Sequence, residues 1–307
     1  MFTFRYHVAS LAAVFVALAV GIVLGVAISG RVSNAEKQLK EDQIARLNQQ
    51  LDALRVQNTD ARKRGFAASQ LLDNAYPALM TNLLKDKRLA LVFLGPANAD
   101  LQSAVERTLA DADAGSSPRM VALDVPVAPK TLDDFLRARQ SLAGYAAGGD
   151  DFGFLGKTLG RELVSGQTTV WSQVSTKLVQ ERSGVGSGTL DGAIVVGSWQ
   201  PSPIDGTQTQ SKTNATQTLV DGIVAGLKDS GVPVIGVETL GTRPTMIDDY
   251  RRVGVSSVDD LDTLPGRIAL ALLLAGGDAG HYGLKKSASE GIAPPIGPVL
   301  GTLTSAP

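Results

Sequence analysis

The chain has 307 residues, 44% of them hydrophobic, which is room for one large or two modest domains with a real core and excludes a disordered polypeptide. Its 29 Lys+Arg against 30 Asp+Glu give a net charge of −1, so no polycationic surface exists to draw it onto nucleic acid, which is not an expected partner. The absence of cysteine excludes disulfides, Cys zinc sites, Fe–S clusters and thiol nucleophiles, and His7 and His281 are the only imidazoles.

Charge is unevenly placed along the chain. Residues 1 to 88 hold 12 Lys+Arg against 7 Asp+Glu, and residues 89 to 307 hold 17 against 23, which points to two physical environments. Val8 to Ile28 is a run of 21 positions with Ser10 as its only polar side chain. As a helix it covers roughly 30 Å, the thickness of a bilayer's hydrocarbon core, and Phe2, Phe4, Tyr6 and Arg5 precede it as interfacial anchors do. The run is longer than the roughly 7 to 15 residues of a signal-peptide core, so a retained membrane helix is expected; Ala27-Ile28-Ser29 before Gly30 is what a cleaved leader would offer. Within it Ala13, Ala17, Gly21, Gly25 and Ser29 fall every fourth position, a small-residue ridge of the kind that lets two helices approach closely in lipid. Gly and Ala are also simply common in membrane helices.

Arg31 to about Arg64 is polar and rich in Gln, Lys, Glu, Asp and Leu. Ile44, Leu47, Leu51, Leu54, Asn58 and Ala61 alternate three and four apart, a heptad seam with Asn58 at an a position. A coiled-coil stalk is expected from this, with the asparagine fixing register in a parallel homodimer; the buried face of an ordinary amphipathic helix has the same spacing over so few heptads. From Arg88 the texture changes. Leu89–Leu94 and Met120–Val125 read as buried strands flanking a helix with Leu101, Val105 and Leu109. Gly192–Val196 and Val232–Val237 repeat the unit around Leu219, Ile223 and Leu227, and such alternation implies a mainly parallel sheet covered by helices. Residues 132–166 and 170–180 read as mostly helical, and the apolar stretch Ile268–Ala275 is too short to span a bilayer and reads as a buried helix. The expected organisation is an anchor (1–30), a helical stalk (31–87), a Rossmann-like α/β body (88–283) and a flexible Pro/Gly-rich tail (284–307).

Little of this carries recognisable chemistry. Gly156-Lys157-Thr158 lacks the preceding glycine of a phosphate-binding loop, since Asp151 stands there, and Gly184-Val-Gly-Ser-Gly188 lacks the nucleophile-elbow frame. Ligands of open α/β sheets collect beyond the strand ends, here Gly95-Pro96, Gly197-Ser198-Trp199 and Glu238-Thr239. Asp259, Asp260 and Asp262 suit a hard cation at best, and a solvated turn ahead of the Pro265-Gly266 helix is the better expectation. Copper prefers thiolate, thioether or imidazole. With no Cys, four scattered Met and His281 as the only imidazole of the body, His281 is the single candidate metal ligand, and no cofactor is identifiable.

Several segments in order resemble the MctB family of mycobacterial copper transport proteins and their actinobacterial relatives. They are His7-Val8-Ala9-Ser10-Leu11-Ala12-Ala13-Val14-Phe15 running into Gly21 and Gly25, Ser175-Thr176-Lys177-Leu178-Val179, Ser257-Val258-Asp259-Asp260-Leu261-Asp262 through Pro265-Gly266-Arg267-Ile268, and Gly280-His281-Tyr282-Gly283. Residues 184–215 and the tail contribute nothing to the likeness. The resemblance implies a single-pass envelope protein with a stalk and an extracytoplasmic body, assigned to copper efflux and, in mycobacteria, to an outer-membrane pore; copper enters only through it, and it brings no ligand residues. A pore-forming barrel needs many strands of about ten residues with alternating polarity, whereas the apolar runs here are continuous. Arg5 before the membrane run against Arg31, Lys37 and Lys40 after it would by charge alone put the body inside, and the resemblance puts it outside. The expected function is thus copper homeostasis at the cell membrane without catalysis. The alternative is a non-catalytic scaffold that dimerises through its stalk and binds an envelope protein partner; an enzyme would have to rely on strand-end carboxylates such as Glu238.

Overall fold

A computed structural model describes residues 3–115, 117–146, 151–184, 188–197 and 207–297, with the side chains of 3–6, 28–39 and 207–211 left undescribed. Two compact units divide the chain between Leu71 and Leu72.

The first unit is helical. Helix α1 runs without interruption from Thr3 to Met80, and its His7–Ala27 part is the one stretch among the described residues long and apolar enough to cross a membrane. From Arg31 to Arg64 neither glycine nor proline interrupts the polar segment, so the helix continues; Pro77 stands only near its end. The division at Leu71/Leu72 falls inside this helix, whereas sequence alone drew the body from residue 88. The physical reason is that Leu72, Tyr76, Leu79 and Met80 are packed on the core of the second unit.

The second unit is a mixed α/β layer structure. Its strands are β1 (Leu89–Phe93), β2 (Arg119–Leu123), β3 (Val179–Ser183), β4 (Gly192–Val196), β5 (Val234–Val237), β6 (Ser256–Val258) and β7 (His281–Tyr282). They form one sheet in the order β3-β2-β1-β4-β5-β6-β7, parallel throughout except for β3 against β2. The helices are α2 (Ala99–Asp111), α3 (Pro129–Arg137), α4 (Gly153–Ser165), α5 (Trp171–Leu178), α6 (Thr207–Asp229), α7 (Ile247–Arg252) and α8 (Leu264–Leu274). Side chains alternate across each strand, so both faces of the sheet are apolar and both are covered. Ala90, Val92, Val121 and Val195 face α3 to α7, while Leu91, Phe93, Met120 and Ile194 face α2, α8 and the end of α1.

The crossovers are not all of one hand. From β4 to β5 and from β6 to β7 the chain steps the same way across the sheet, yet α6 lies on one face and α8 on the other. The β6–α8–β7 connection therefore turns opposite to β4–α6–β5, and since β1–α2–β2 steps the other way over α8's face, it shares the hand of β4–α6–β5. β7 is only two residues long, and side-chain carboxylates rather than a long ladder hold the segment after it.

Helices α4 and α6 touch through their backbones. A Cβ on Gly156 would come within 2.2 Å of the Leu219 carbonyl and one on Gly226 within 2.1 Å of the Lys157 carbonyl, so only glycine permits this approach. Gly156, which in sequence resembles part of a failed phosphate loop, is thus a helix-packing position.

Candidate functional site

Strands β1, β4 and β5 end at the same edge, and the strand order reverses between β1 and β4, the place where open α/β sheets form a crevice. A cavity of about 580 Å³ lies there, lined among others by Asn98, Glu238, Thr239, Thr242, Arg243 and Asp262. Of the strand-end segments singled out in sequence, Gly197, Glu238 and Thr239 line it, and Ser198 and Trp199 lie outside the described residues. Asn98 is spent as the N-cap of α2, accepting from the Leu101 amide at 3.0 Å. The loop after β5 is pinned by two of its neighbours: Asp262 accepts from the Leu240 amide at 2.9 Å, and Arg243 Nη1 donates to the carbonyls of Leu240 and Thr242 at 2.9 and 2.8 Å.

Beside the crevice sits a buried ion pair. Glu238, at the end of β5, accepts from Lys285 Nζ at 2.5 Å, from Thr245 Oγ1 at 2.6 Å and from the Met246 amide at 2.8 Å. The Glu238 and Lys285 side chains are 2% and 10% exposed, so these are charge-assisted bonds in a poorly hydrated place. Tyr250 stands nearby, its hydroxyl accepting from the Gly197 amide at 2.6 Å and donating toward the Val195 carbonyl at 3.3 Å; burial raises its pKa.

Asp259 and Asp260 correct the expectation of a solvated turn, because both are fully buried. They follow β6 directly, and the pairing of Ser257 with His281 and of Val258 with Tyr282 brings them against the segment after β7. Asp259 Oδ1 accepts from the amides of Leu284 and Lys285 at 2.9 and 3.2 Å. Gly283, at φ +141°, lets the chain pass so close that a Cβ there would fall 1.9 Å from that oxygen. The segments Ser257–Asp262 and Gly280–Gly283, far apart in sequence, are therefore one structural element. Asp260 Oδ2 accepts from Thr263 Oγ1 at 2.8 Å, while its buried Oδ1 has no hydrogen-bond partner. Burial pushes this carboxyl up to about 6, and the neighbouring charges of Asp259 and Asp262 add to the shift. The helix cap ahead of α8 is Thr263, accepting from the Gly266 amide at 3.2 Å.

The expected flexible tail is held over its described part, 284–297. Besides the Asp259 and Lys285 contacts, Gly291 bridges to Tyr282, and Ala293 and Ile296 pack on the core. Residues 298–307 lie outside the described residues.

His281 stands in β7 with its Nδ1 2.9 Å from Ser257 Oγ and its backbone amide donating to Glu290 Oε2 at 2.6 Å. Burial, then the Arg251 guanidinium, lowers its pKa and favours the neutral ring. Among the described residues no group of three or more His, Cys, Asp or Glu is placed to hold a metal ion. Met80 and Met120 are buried in the core, and Met246 lines the crevice.

The helix positions singled out in sequence all fall on α1. Ala17, Gly21 and Gly25 lie on its exposed apolar part, where a Cβ on either glycine would meet nothing within 4 Å; Ser29 is among the residues whose side chains are not described. Ile44, Leu47, Leu51, Leu54 and Asn58 are exposed as well, Leu51 to 49% and Leu54 to 61%. Four of these five exposed side chains are apolar, and all five belong to the first unit.

Comparison with known proteins agrees with the resemblance read from these segments. Residues 1–293 match the family described as "Copper transport outer membrane protein, MctB". Proteins named "Copper transporter MctB" from Mycobacterium bovis and Mycobacterium tuberculosis are 28% identical over 321 residues, covering 92% of this chain and 96% of theirs. The match takes in the apolar helix, the polar helical segment, the sheet and the buried Asp259–Gly283 element together, and the chain therefore belongs to the MctB family.

Proposed function

We propose that this protein is a non-catalytic, single-pass envelope protein that supports copper efflux, with copper as cargo of the process it serves. The observation that carries the reading is the family match over residues 1–293, which spans anchor and body alike. The anchor is the His7–Ala27 part of α1, and the body is a Rossmann-like α/β domain on the extracytoplasmic side of the cell membrane. Support for helical rather than barrel anchorage comes from the sheet, whose strands are two to five residues long against the roughly 9 to 11 that a bilayer-spanning strand needs. A body with one imidazole and no thiol is poorly equipped to bind copper, so its part in efflux is to position or engage another envelope component.

The exposed seam supports a second reading of how the protein is built. Ile44, Leu47, Leu51 and Leu54 at heptad spacing pair with a second copy, making a parallel coiled-coil homodimer in which both anchors enter the same membrane. As a pure scaffold, such a dimer would act without metal specificity. Growth of a deletion strain in graded copper and, separately, graded zinc separates the two. Sensitivity to copper alone, relieved by complementation, is expected; equal sensitivity to both metals or altered permeability without metal preference would favour the scaffold.

A further inference from the structure

The opposite edge of the sheet, where β1 and β2 begin, gathers positive charge. Arg88 precedes β1, Arg119 opens β2, and Arg182 stands in β3 opposite Val121. Ala90 and Val121 face α4, and Arg88 and Arg119 lie two residues before them while Arg182 pairs with Val121, so all three arginines belong to that face. Arg119 donates to the carbonyls of Leu163 at 2.9 Å and Gly188 at 3.3 Å, closing the last turn of α4. Arg88 converges on the same place, since a Cβ on Gly188 would lie 2.7 Å from its Nη1. Asp191 serves Arg88, accepting from its backbone amide at 2.8 Å and standing 3.8 Å from its Nε. Arg182 is exposed, and no carboxylate pairs with it among the described residues. Burial, then the charges of Arg182 and Arg88, hold Arg119 below the usual guanidinium range.

Among the described residues Arg88 and Arg182 have one carboxylate, Asp191, between them, an excess of positive charge that an oxyanion relieves. We propose that Arg88, Arg119 and Arg182 form a binding site for a phosphate group, either free or carried on a lipid headgroup. Phosphate suits the site better than a carboxylate does, because its oxygens point to the corners of a tetrahedron rather than lying in one plane and can meet guanidinium forks arriving from three strands. Arg119 doubles as a helix closure, so Arg88 and Arg182 are the dedicated donors.

The test uses the full chain in uncharged detergent micelles, titrated calorimetrically with inorganic phosphate and with dihexanoyl phosphatidylglycerol at fixed ionic strength, with sodium chloride as the blank. Saturable binding is expected, weakened about tenfold or more by Arg182→Ala and in part retained by Arg182→Lys. Arg182 is exposed on an edge strand, and an unchanged thermal midpoint will show that its variants fold. Tighter binding of the phosphatidylglycerol identifies a headgroup site, and equal or weaker binding identifies free phosphate. Heats indistinguishable from chloride, or an Arg182→Ala titration that matches the unsubstituted chain, would overturn the proposal.

Discussion

Lys285 is the cation that makes burial of Glu238 tolerable, and breaking such a pair from one side costs about 3–5 kcal/mol because a charge is left without compensation. Lys285→Met is therefore expected to lower the unfolding midpoint sharply in a thermal melt of the full chain, and Glu238→Gln in the same background to recover part of it. A midpoint unmoved by Lys285→Met would mean that water already solvates the pair. Asp260 contributes in the other direction. Its folded carboxyl titrates near 6 while an unfolded aspartate titrates near 3.8, so between these values the folded state holds the proton that the unfolded state has released. Stability accordingly falls as pH rises from about 4 to about 6, and above that the buried charge is a constant cost. Asp260→Asn should remove this slope from melting curves taken across the window, and a slope that persists would place its origin elsewhere. The burial of these acids is not legible in sequence: Asp259-Asp260-Leu261-Asp262 has the composition of a solvated turn, and only the pairing of β6 with β7 encloses it. Gly283 is the one residue of the element with a visible signal, the glycine that closes Gly280-His281-Tyr282-Gly283. Gly283→Ala is expected to cost more than the roughly 1 kcal/mol of an ordinary positive-φ position, since its Cβ would meet the Asp259 carboxylate, and the same melting assay checks it.

Among the elements, the strands legible in sequence are those buried on both faces. β1, β2, β4 and β5 are continuous apolar runs ended by turn residues, and their order alternates with amphipathic helices. β3 is polar and exposed along most of its length, β6 is three residues and β7 two, so none carries enough of a periodic pattern to read, and their pairing is set by tertiary context. The α4–α6 contact is equally hidden, because glycines at helical spacing carry no hydrophobic signal, although they determine how closely two helices approach. Gly226→Leu should unfold the body or separate these helices, visible as lost protection of α4 amides in hydrogen exchange, whereas Gly231→Asn, at an exposed position in the turn after α6 with φ +74° and open space around it, should leave that protection intact. Along α1 the heptad spacing is legible and the helix is continuous, and the proposed pairing with a second copy is open to a direct test. Leu51→Asp, which puts a charge at the centre of the seam, should convert dimers to monomers in analytical ultracentrifugation; dimers that survive it would locate the interface elsewhere.

For the molecule as a whole, the absence of cysteine offers a direct test of where the body lies. A single cysteine introduced at exposed Lys130 of the otherwise thiol-free chain should react in intact cells with a membrane-impermeant maleimide, and labelling only after lysis would put the body in the cytoplasm. The family, the apolar helix and the mainly parallel sheet are all legible in the chain, but the proposed role in copper efflux rests on likeness of segments rather than on any ligand set. That role is tested most directly by total cellular copper, measured by elemental mass spectrometry in a deletion strain and in the same strain carrying the gene, both grown in elevated copper. Accumulation in the deletion strain, reversed by the intact chain, is the predicted result; equal copper in the two strains would contradict the efflux role and leave the protein a scaffold of the envelope.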